Sequence, residues 1–578
     1  MGDNYVMVAA IDFGTTYSGY AFSTREEFKK DPLKIHANQA WVSGQKYLLS
    51  LKTPTCLLLR RNGKFVSFGF DAENRFSDIT LDGKQNEYLY FNRFKMKLHN
   101  NMKLTRDMML EDISQNKFPA IQVFALSIEA LKDHLLDILK TQGLEIKTDE
   151  IRWVLTVPAI WSDPAKQFMR EAAKMAGLDK RLHIALEPEA ASLFCQHLPV
   201  ERLVGASKGF GVSRKGTKYM VIDLGGGTAD ITVHEKLEGN KLKELFKASG
   251  GACGGTSVDT QFYSTMTRIF GGEVMHSLQK ERTFAYMDLV REFETAKRVL
   301  KPEEEGDKKV NLTIPYVTLN EICKEVLEEE LGDVLKQSTL NDDISSLGDK
   351  FRIKVSYMKN MFQRTIEDIV QHIKNILQKT EAEDVSRLLL VGGFSESLLI
   401  QDAVKKAFPK MQIIIPEEAG LAVLKGAVIF GHQPDSISSR VIRYTYGVRI
   451  TPEFDDSKHR NDKKFMMNDV PHCADVFSPF LKAGTEVPAN HKVVDAYTTT
   501  KPFQDSMPVV IYYSEKESPM YVTDDGCKKL GVLDVKVPNP SADDHHLAVQ
   551  YQFGDTELHM LAVEVQSKSP CSAKFDLI

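Results

Sequence analysis

The residues best suited to chemistry stand in two short runs that read alike. Val8-Ala9-Ala10-Ile11-Asp12-Phe13-Gly14-Thr15-Thr16 lies near the start of the chain, and Met220-Val221-Ile222-Asp223-Leu224-Gly225-Gly226-Gly227-Thr228 repeats its pattern in the middle. Each is an apolar strand, an aspartate and a Gly/Thr turn, followed by alternating residues of a second strand at 17–22 or 229–233, so each predicts a β-hairpin. Glycines let backbone N–H groups come close to anionic oxygens and threonine hydroxyls add donors, so two such turns facing each other can hold a polyphosphate. A carboxylate beside phosphates requires a hard cation between them, and magnesium bridges phosphate oxygens and one or two carboxylates while keeping several waters. Asp12 and Asp223 are the candidates for that metal, and Asp230, two residues past Thr228, is the candidate to orient an attacking water.

An isolated Asp-Phe-Gly-Thr-Thr is more often only a turn, since these are turn residues. The second copy shifts the balance, because three consecutive glycines cost roughly 2–3 kcal/mol against alanine in backbone entropy, which a mere turn does not require. The pattern GxxxxGK[ST] occurs nowhere, which excludes the Walker arrangement. Two further clusters fit the nucleoside end of such a ligand. Gly392-Gly393-Phe394 follows an apolar strand at 388–391 and precedes a helix, a place where backbone and a helix N-terminus approach a ligand. Gly254-Gly255 lies in a glycine-rich run at 250–256; each cluster alone also reads as an ordinary turn.

The elements that must position these residues follow from periodicity. The repeated hairpin implies two homologous lobes, at 1–204 and 205–431, with a helical subdomain at about 256–350. Helical spacing marks 121–142, 166–177 and 355–379, and compact apolar strands mark 151–158 and 388–391, so the first 430 residues are α/β. The acidic loop at 302–307 reads as a solvated surface loop. Beyond a polar linker at 432–440 the texture changes to period-two alternation of Val, Tyr and Thr, with strands at 493–499, 509–513, 530–537, 547–553 and 558–565, predicting a separate β-rich domain at 441–578.

Bulk properties exclude several classes. The 578-residue chain is 42% hydrophobic and 26% charged, an ordinary globular composition. A net charge of −5 supplies no positive field for a phosphate backbone, so nucleic acid is not an expected partner. Seven cysteines without CxxC spacing fit thiols in a reducing compartment, and the cytoplasm is the expected location. The apolar run at 6–11 lacks a basic flank and stops at Asp12, so it predicts a strand rather than a signal peptide, and no stretch approaches the roughly 20 apolar residues of a membrane helix. Neither HExxH nor GxSxG occurs.

Taken in order, Asp12–Tyr17, Val157-Pro158-Ala159, Glu187-Pro188-Glu189-Ala190-Ala191, Asp223–Asp230, Gly254-Gly255, Glu294-Thr295-Ala296-Lys297-Arg298 and Gly392-Gly393 resemble the nucleotide-binding domain of the seventy-kilodalton heat-shock proteins. The resemblance spans the first 430 residues and implies a two-lobed, actin-like ATPase of ribonuclease H-like repeats that binds ATP or ADP with Mg2+. It implies that Gly14, Thr15, Thr16 and Tyr17 form a first phosphate hairpin with Thr15 close to the γ-phosphate, and that Gly225, Gly226, Gly227 and Thr228 form the second. Glu187 and Asp223 resemble the carboxylates that organise metal and water; Glu294, Lys297 and Arg298 resemble the helix face that holds ribose and adenine. A catalytic lysine is expected within 91–97, and Lys95 is preferred to Lys97.

The chain departs from the family at several points. The family's EPTAA is here EPEAA, so Glu189 is expected to add a carboxylate beside the cleft, and Phe394, Ser395 and Glu396 follow the last glycine pair in place of small and arginine side chains, leaving Phe394 either to stack on the base or to serve as a core aromatic. Leu481–Pro488 and Leu530–Leu533 resemble turns of the family's peptide-binding β-sandwich, and a β domain without the family's helical lid is expected. These features are most similar to the divergent heat shock 70 kDa protein 12 subfamily. The expected activity is an ATP-dependent chaperone with slow hydrolysis, gripping polypeptide clients or a specific partner with its β domain. A nucleotide-gated adapter with little ATPase activity is the alternative, and a small-molecule kinase the remote one.

Overall fold

Strand Met7–Phe13 is buried along its whole length, and its two neighbours explain its unbroken apolar run: it pairs in parallel with Ile151–Val157 and antiparallel with Tyr17–Thr24. Leu182–Leu186 continues the parallel side, and His36–Ala37 the antiparallel side. The same arrangement recurs later in the chain. Lys218–Leu224 pairs antiparallel with Ala229–Lys236 and parallel with Arg387–Val391, Gln412–Pro416 continues the parallel side, and Leu242–Gly251 extends the other. The repeat in the sequence is therefore a repeat in the structure, a hairpin with two parallel strands beside it. This computed structural model describes residues 5–578 except 39–40, 44–47, 102–103, 207–213, 305–307, 468, 500, 538, 566–569 and 572, so half of the acidic loop at 302–307 lies outside the described residues.

Helices Glu187–His197 and Ala422–His432 pack between the two sheets. One core joins Val8, Ala10 and Val154 of the first sheet to Tyr219, Val221 and Leu389 of the second through Leu193, Phe194, Ala427 and Val428 of these helices. The close approach depends on Gly426, where any Cβ would run into the carbonyl of Ala190. The outer face of the first sheet is covered by Ala120–Thr141 and Asp163–Met175, and that of the second by Gly255–Lys280, Thr283–Arg298 and Val355–Leu377. The chain is thus mixed α/β, and its two hairpin turns emerge at the same end of the shared core.

The stretch read as a polar linker is structured. After His432 a 3-10 turn, Pro434–Ser436, leads into strand Ile437–Val441, which pairs in parallel with Leu242–Gly251 and antiparallel with Glu486–Pro488. An uncovered strand edge leaves N–H and C=O groups without partners, and this strand supplies them. The remaining chain forms a five-stranded sheet built on Thr445–Ile450, Ser506–Ser514 and Cys527–Lys536, and a four-stranded sheet built on His491–Thr498, His546–Phe553 and His559–Glu564. Alternate residues, Leu547, Val549 and Tyr551 from one sheet and Ile511, Leu533 and Val535 from the other, meet in one core. Among the described residues beyond Val441 the helical content is a single 3-10 turn, Asn461–Lys463.

The β-rich part touches both lobes, joined to the second through Glu486–Pro488 and resting on the first through side-chain contacts. Arg443 donates to the carbonyl of Ile160, Tyr446 Oη donates to Asp163 Oδ2 at 2.8 Å, and Arg170 Nε donates to Glu557 Oε1 at 2.5 Å. All seven cysteines are free thiols. Among the described residues no helix is long and apolar enough to cross a membrane.

Candidate functional site

Asp12 and Asp223 occupy equivalent places in the two central strands. Hairpin register sets Asp230 directly opposite Asp223, whereas Asp12 faces Gly19. Glu187 enters from the first turn of helix Glu187–His197, immediately after strand Leu182–Leu186. These four carboxylates are 6%, 4%, 0% and 8% exposed for Asp12, Asp223, Asp230 and Glu187, a density of buried charge that water does not relieve.

Two ammonium groups meet them. Lys95, on the 3-10 turn Phe94–Leu98, is buried and donates to Glu187 Oε1 at 2.8 Å, with its Nζ 5.2 Å from the centre of the Trp161 ring; Lys97 on the same turn is exposed. Lys52 donates to Asp12 Oδ2 at 2.6 Å, while the Thr156 hydroxyl donates to Asp12 Oδ1 at 2.8 Å. Lys52 thus occupies one oxygen of an aspartate that the sequence reading assigns to the metal. Asp230 Oδ2 accepts the amide of Ala159, and Asp230 Oδ1 is buried without a hydrogen-bond partner among the described residues.

The charges do not balance. Burial, followed by the charges of Glu187, Asp230 and Asp12, pushes Asp223 well above the usual carboxylate range. Burial and the charge of Glu187 push Asp230 up to about 7. Burial also raises Glu187 despite Lys95 beside it. Burial works against the ionised form of Asp12 as well, but the charge and hydrogen bond of Lys52 outweigh it and hold Asp12 low. Four carboxylates facing two ammoniums leave an excess of negative charge that a divalent cation would neutralise. No group of three acidic, histidine or cysteine side chains among the described residues is arranged to grip a metal directly.

The two turns stand against each other. A Cβ on Gly226 would strike the side chain of Thr16, and one on Gly227 would strike Met96 and lie 2.6 Å from Thr15 Oγ1, so a side chain at either would push these residues aside. Gly14 is pinned by Thr55, whose hydroxyl donates to its carbonyl at 2.8 Å, and Gly225 by its amide donating to the Thr228 carbonyl at 3.0 Å. Gly392, at φ 85°, passes so close to Asp223 that a side chain would displace the carboxylate, while Gly393 faces open space. The amides of Gly254, Gly255 and Thr256 donate to the carbonyls of Gly227, Gly225 and Gly226 at 3.3, 3.1 and 2.7 Å. Helix Gly255–Lys280 therefore holds the second turn in shape through the very groups that a helix N-terminus would otherwise offer to a ligand.

At the outer end Lys297 pairs with Asp259 and with Glu294, both at 2.5 Å, and Arg298 pairs with Glu294 at 2.6 Å. The Arg298 guanidinium lies 5.2 Å from the centre of the Tyr17 ring, joining the second lobe to the first turn. Phe394 packs on Gly255 and stacks with Phe362, ring centres 6.3 Å apart, so it is anchored to the core of the second lobe.

Comparison with known proteins decides the family. A family model described as Hsp70 protein matches residues 84–451. Heat shock 70 kDa protein 12A of Mus musculus is 35% identical over 99% of this chain and 92% of its own length. The chain belongs to the Hsp70 family. Heat shock 70 kDa protein 12B of Homo sapiens is 34% identical over 100% of the chain and 91% of its own length, and the Chaperone protein DnaK of Mycoplasmopsis synoviae (strain 53) is 26% identical over 51% of the chain and 43% of its own length. Members of the family bind ATP or ADP with Mg2+.

Within this Hsp70 chain Glu189 needs a correction. It does not add charge beside the cleft. Residues two apart on a helix point about 200° apart, so with Glu187 facing the cleft Glu189 faces the other way. There Arg440 grips it from the strand beyond the nucleotide lobes, Nε to Oε1 at 2.7 Å and Nη2 to Oε2 at 2.8 Å, and Arg440 also donates to the carbonyl of Gly554. Glu244, pushed up to about 8 by burial and by Glu189, accepts the amide of Val441 at 2.9 Å beside the pair. The i, i+2 spacing of the two glutamates was the signal available in the sequence; Lys52 carried none.

Proposed function

We propose that this chain binds ATP or ADP with Mg2+ between two actin-like lobes, hydrolyses ATP slowly, and couples nucleotide state to a sandwich-like β domain at 441–578 that grips polypeptide. The observation that carries this reading is the convergence of Asp12, Glu187, Asp223 and Asp230 with Lys52 and Lys95 beneath two glycine-threonine turns. In the structure the turns touch, so nucleotide entry requires the lobes to part, with helices Glu187–His197 and Ala422–His432 as the hinge between them.

The chain's own groups divide the work. Amides and hydroxyls of Gly14–Thr16 and Gly226–Thr228 would face the phosphates, and Lys95, fixed by Glu187, would supply positive charge where charge develops in phosphoryl transfer. Bound magnesium would supply further charge neutralisation, held through water near Asp223. Asp230, with one oxygen tied to Ala159 and the other free of hydrogen bonds, is placed to orient a water and accept its proton at Oδ1.

Single-turnover hydrolysis of labelled ATP with magnesium, beside an Asp223→Asn control, tests the reading. Phosphate release abolished in the control supports the ATPase; ATP that binds but stays intact moves the function to a nucleotide-gated adapter. The adapter reading draws support from the contacts that tie the β domain and the strand leading into it to the first lobe, Glu189–Arg440, Arg443–Ile160 and Tyr446–Asp163.

A further inference from the structure

Lys52 is the one charged group in the cleft that the phosphate-site reading leaves without a task. It precedes strand Thr53–Pro54, which pairs with Tyr17–Thr24, and its side chain crosses that strand to reach Asp12. The crossing is built in. Gly19, the residue paired with Asp12 in the hairpin, would bring a Cβ within 3.0 Å of Lys52 Cγ, so the absence of a side chain at Gly19 opens the path. Asp12 then has a donor on each oxygen, Lys52 on one at 2.6 Å and Thr156 on the other at 2.8 Å. A metal-bound water at Asp12 would have to share these oxygens with the two donors already there.

We propose that Lys52 is a built-in cation of the nucleotide cleft: its ammonium holds the Asp12 side for phosphate recognition, so that a divalent ion on the Asp223 side strengthens nucleotide binding without being required for it. This rests on the nucleotide-binding reading above and adds the prediction that binding depends only weakly on magnesium. A lysine is a compact point charge with three donors on a flexible stem, able to bind carboxylate and phosphate oxygens together.

The test is calorimetric titration of the full chain with ADP, once in MgCl2 and once in EDTA. Wild type is expected to lose less than about tenfold in affinity when magnesium is removed, whereas Lys52→Met should lose roughly 10–100-fold in EDTA and recover part of it in magnesium, the range for one hydrogen bond to a charged group. Because Lys52→Met leaves Asp12 buried and unpaired, the Asp12→Asn/Lys52→Met double variant is titrated as well and should show the same steep magnesium dependence. Wild-type binding abolished by EDTA, or variants whose magnesium dependence matches wild type, would overturn the proposal and leave the nucleotide reading standing. Absence of ADP binding under both conditions would overturn both.

Discussion

Replacing Arg440 by methionine removes the bidentate partner of Glu189. Arg440 and Glu189 are 8% and 2% exposed, and the pair is made at 2.7 and 2.8 Å, so the carboxylate left behind is buried with no counter-ion. Breaking one side of such a pair costs about 3–5 kcal/mol. Glu244 adds a pH signature. Burial and Glu189 already push it to about 8, and Arg440 restrains the rise, so the substitution should push it higher. A carboxyl raised in the folded state gives stability that is full below its unfolded value of about 4.5 and is lost as pH rises through the folded value. Wild type completes that loss near pH 8, whereas the variant keeps losing above it, so the gap between them should widen from pH 7 to pH 9. Urea unfolding followed by tryptophan fluorescence measures the gap, and a cycle with Glu189→Gln should show an interaction energy of about 3 kcal/mol. A cost under about 1 kcal/mol, a gap that does not widen with pH, or additive single substitutions would refute the reasoning.

Three further outcomes follow from the site. Lys95→Met should lower single-turnover hydrolysis by about 100-fold or more while ADP still binds, and Lys97→Met, on the exposed side of the same turn, should leave the rate unchanged. If Asp230 accepts the proton of the attacking water, the single-turnover rate should rise about tenfold per pH unit up to about pH 7 and flatten above it, because the protonated acid cannot serve as base; Asp230→Asn should remove the rising limb. Gly227→Ala forces a methyl group against Met96 and Thr15, and titration should show ADP affinity reduced by roughly tenfold or more with the fold retained.

Much of this was legible in the residues themselves. Helix 355–379 read from spacing is Val355–Leu377 in the structure, strand 547–553 is His546–Phe553, and both Gly/Thr turns close hairpins with their aspartates at the strand ends. Periodicity and glycine report local backbone geometry, which is why these readings carry over. The preference for Lys95 over Lys97 came only from family resemblance; the structure distinguishes them by burying one and exposing the other. The segment at 432–440 read as a tether because its polar side chains hide the backbone groups that make it a strand.

What the sequence determined by itself is the set of elements, the repeated phosphate-type turn and the residue types gathered near it, since each depends on neighbours within a few positions. What only the tertiary structure decided is which charges neutralise which. Lys52 meets Asp12 across 40 residues, Lys95 meets Glu187 across 92, and Glu189 turns from the cleft to Arg440 across 251. A buried ion pair exists only where folding brings both partners out of water at the same point, and that meeting is fixed by the packing of sheets and helices rather than by either residue's own surroundings in the chain.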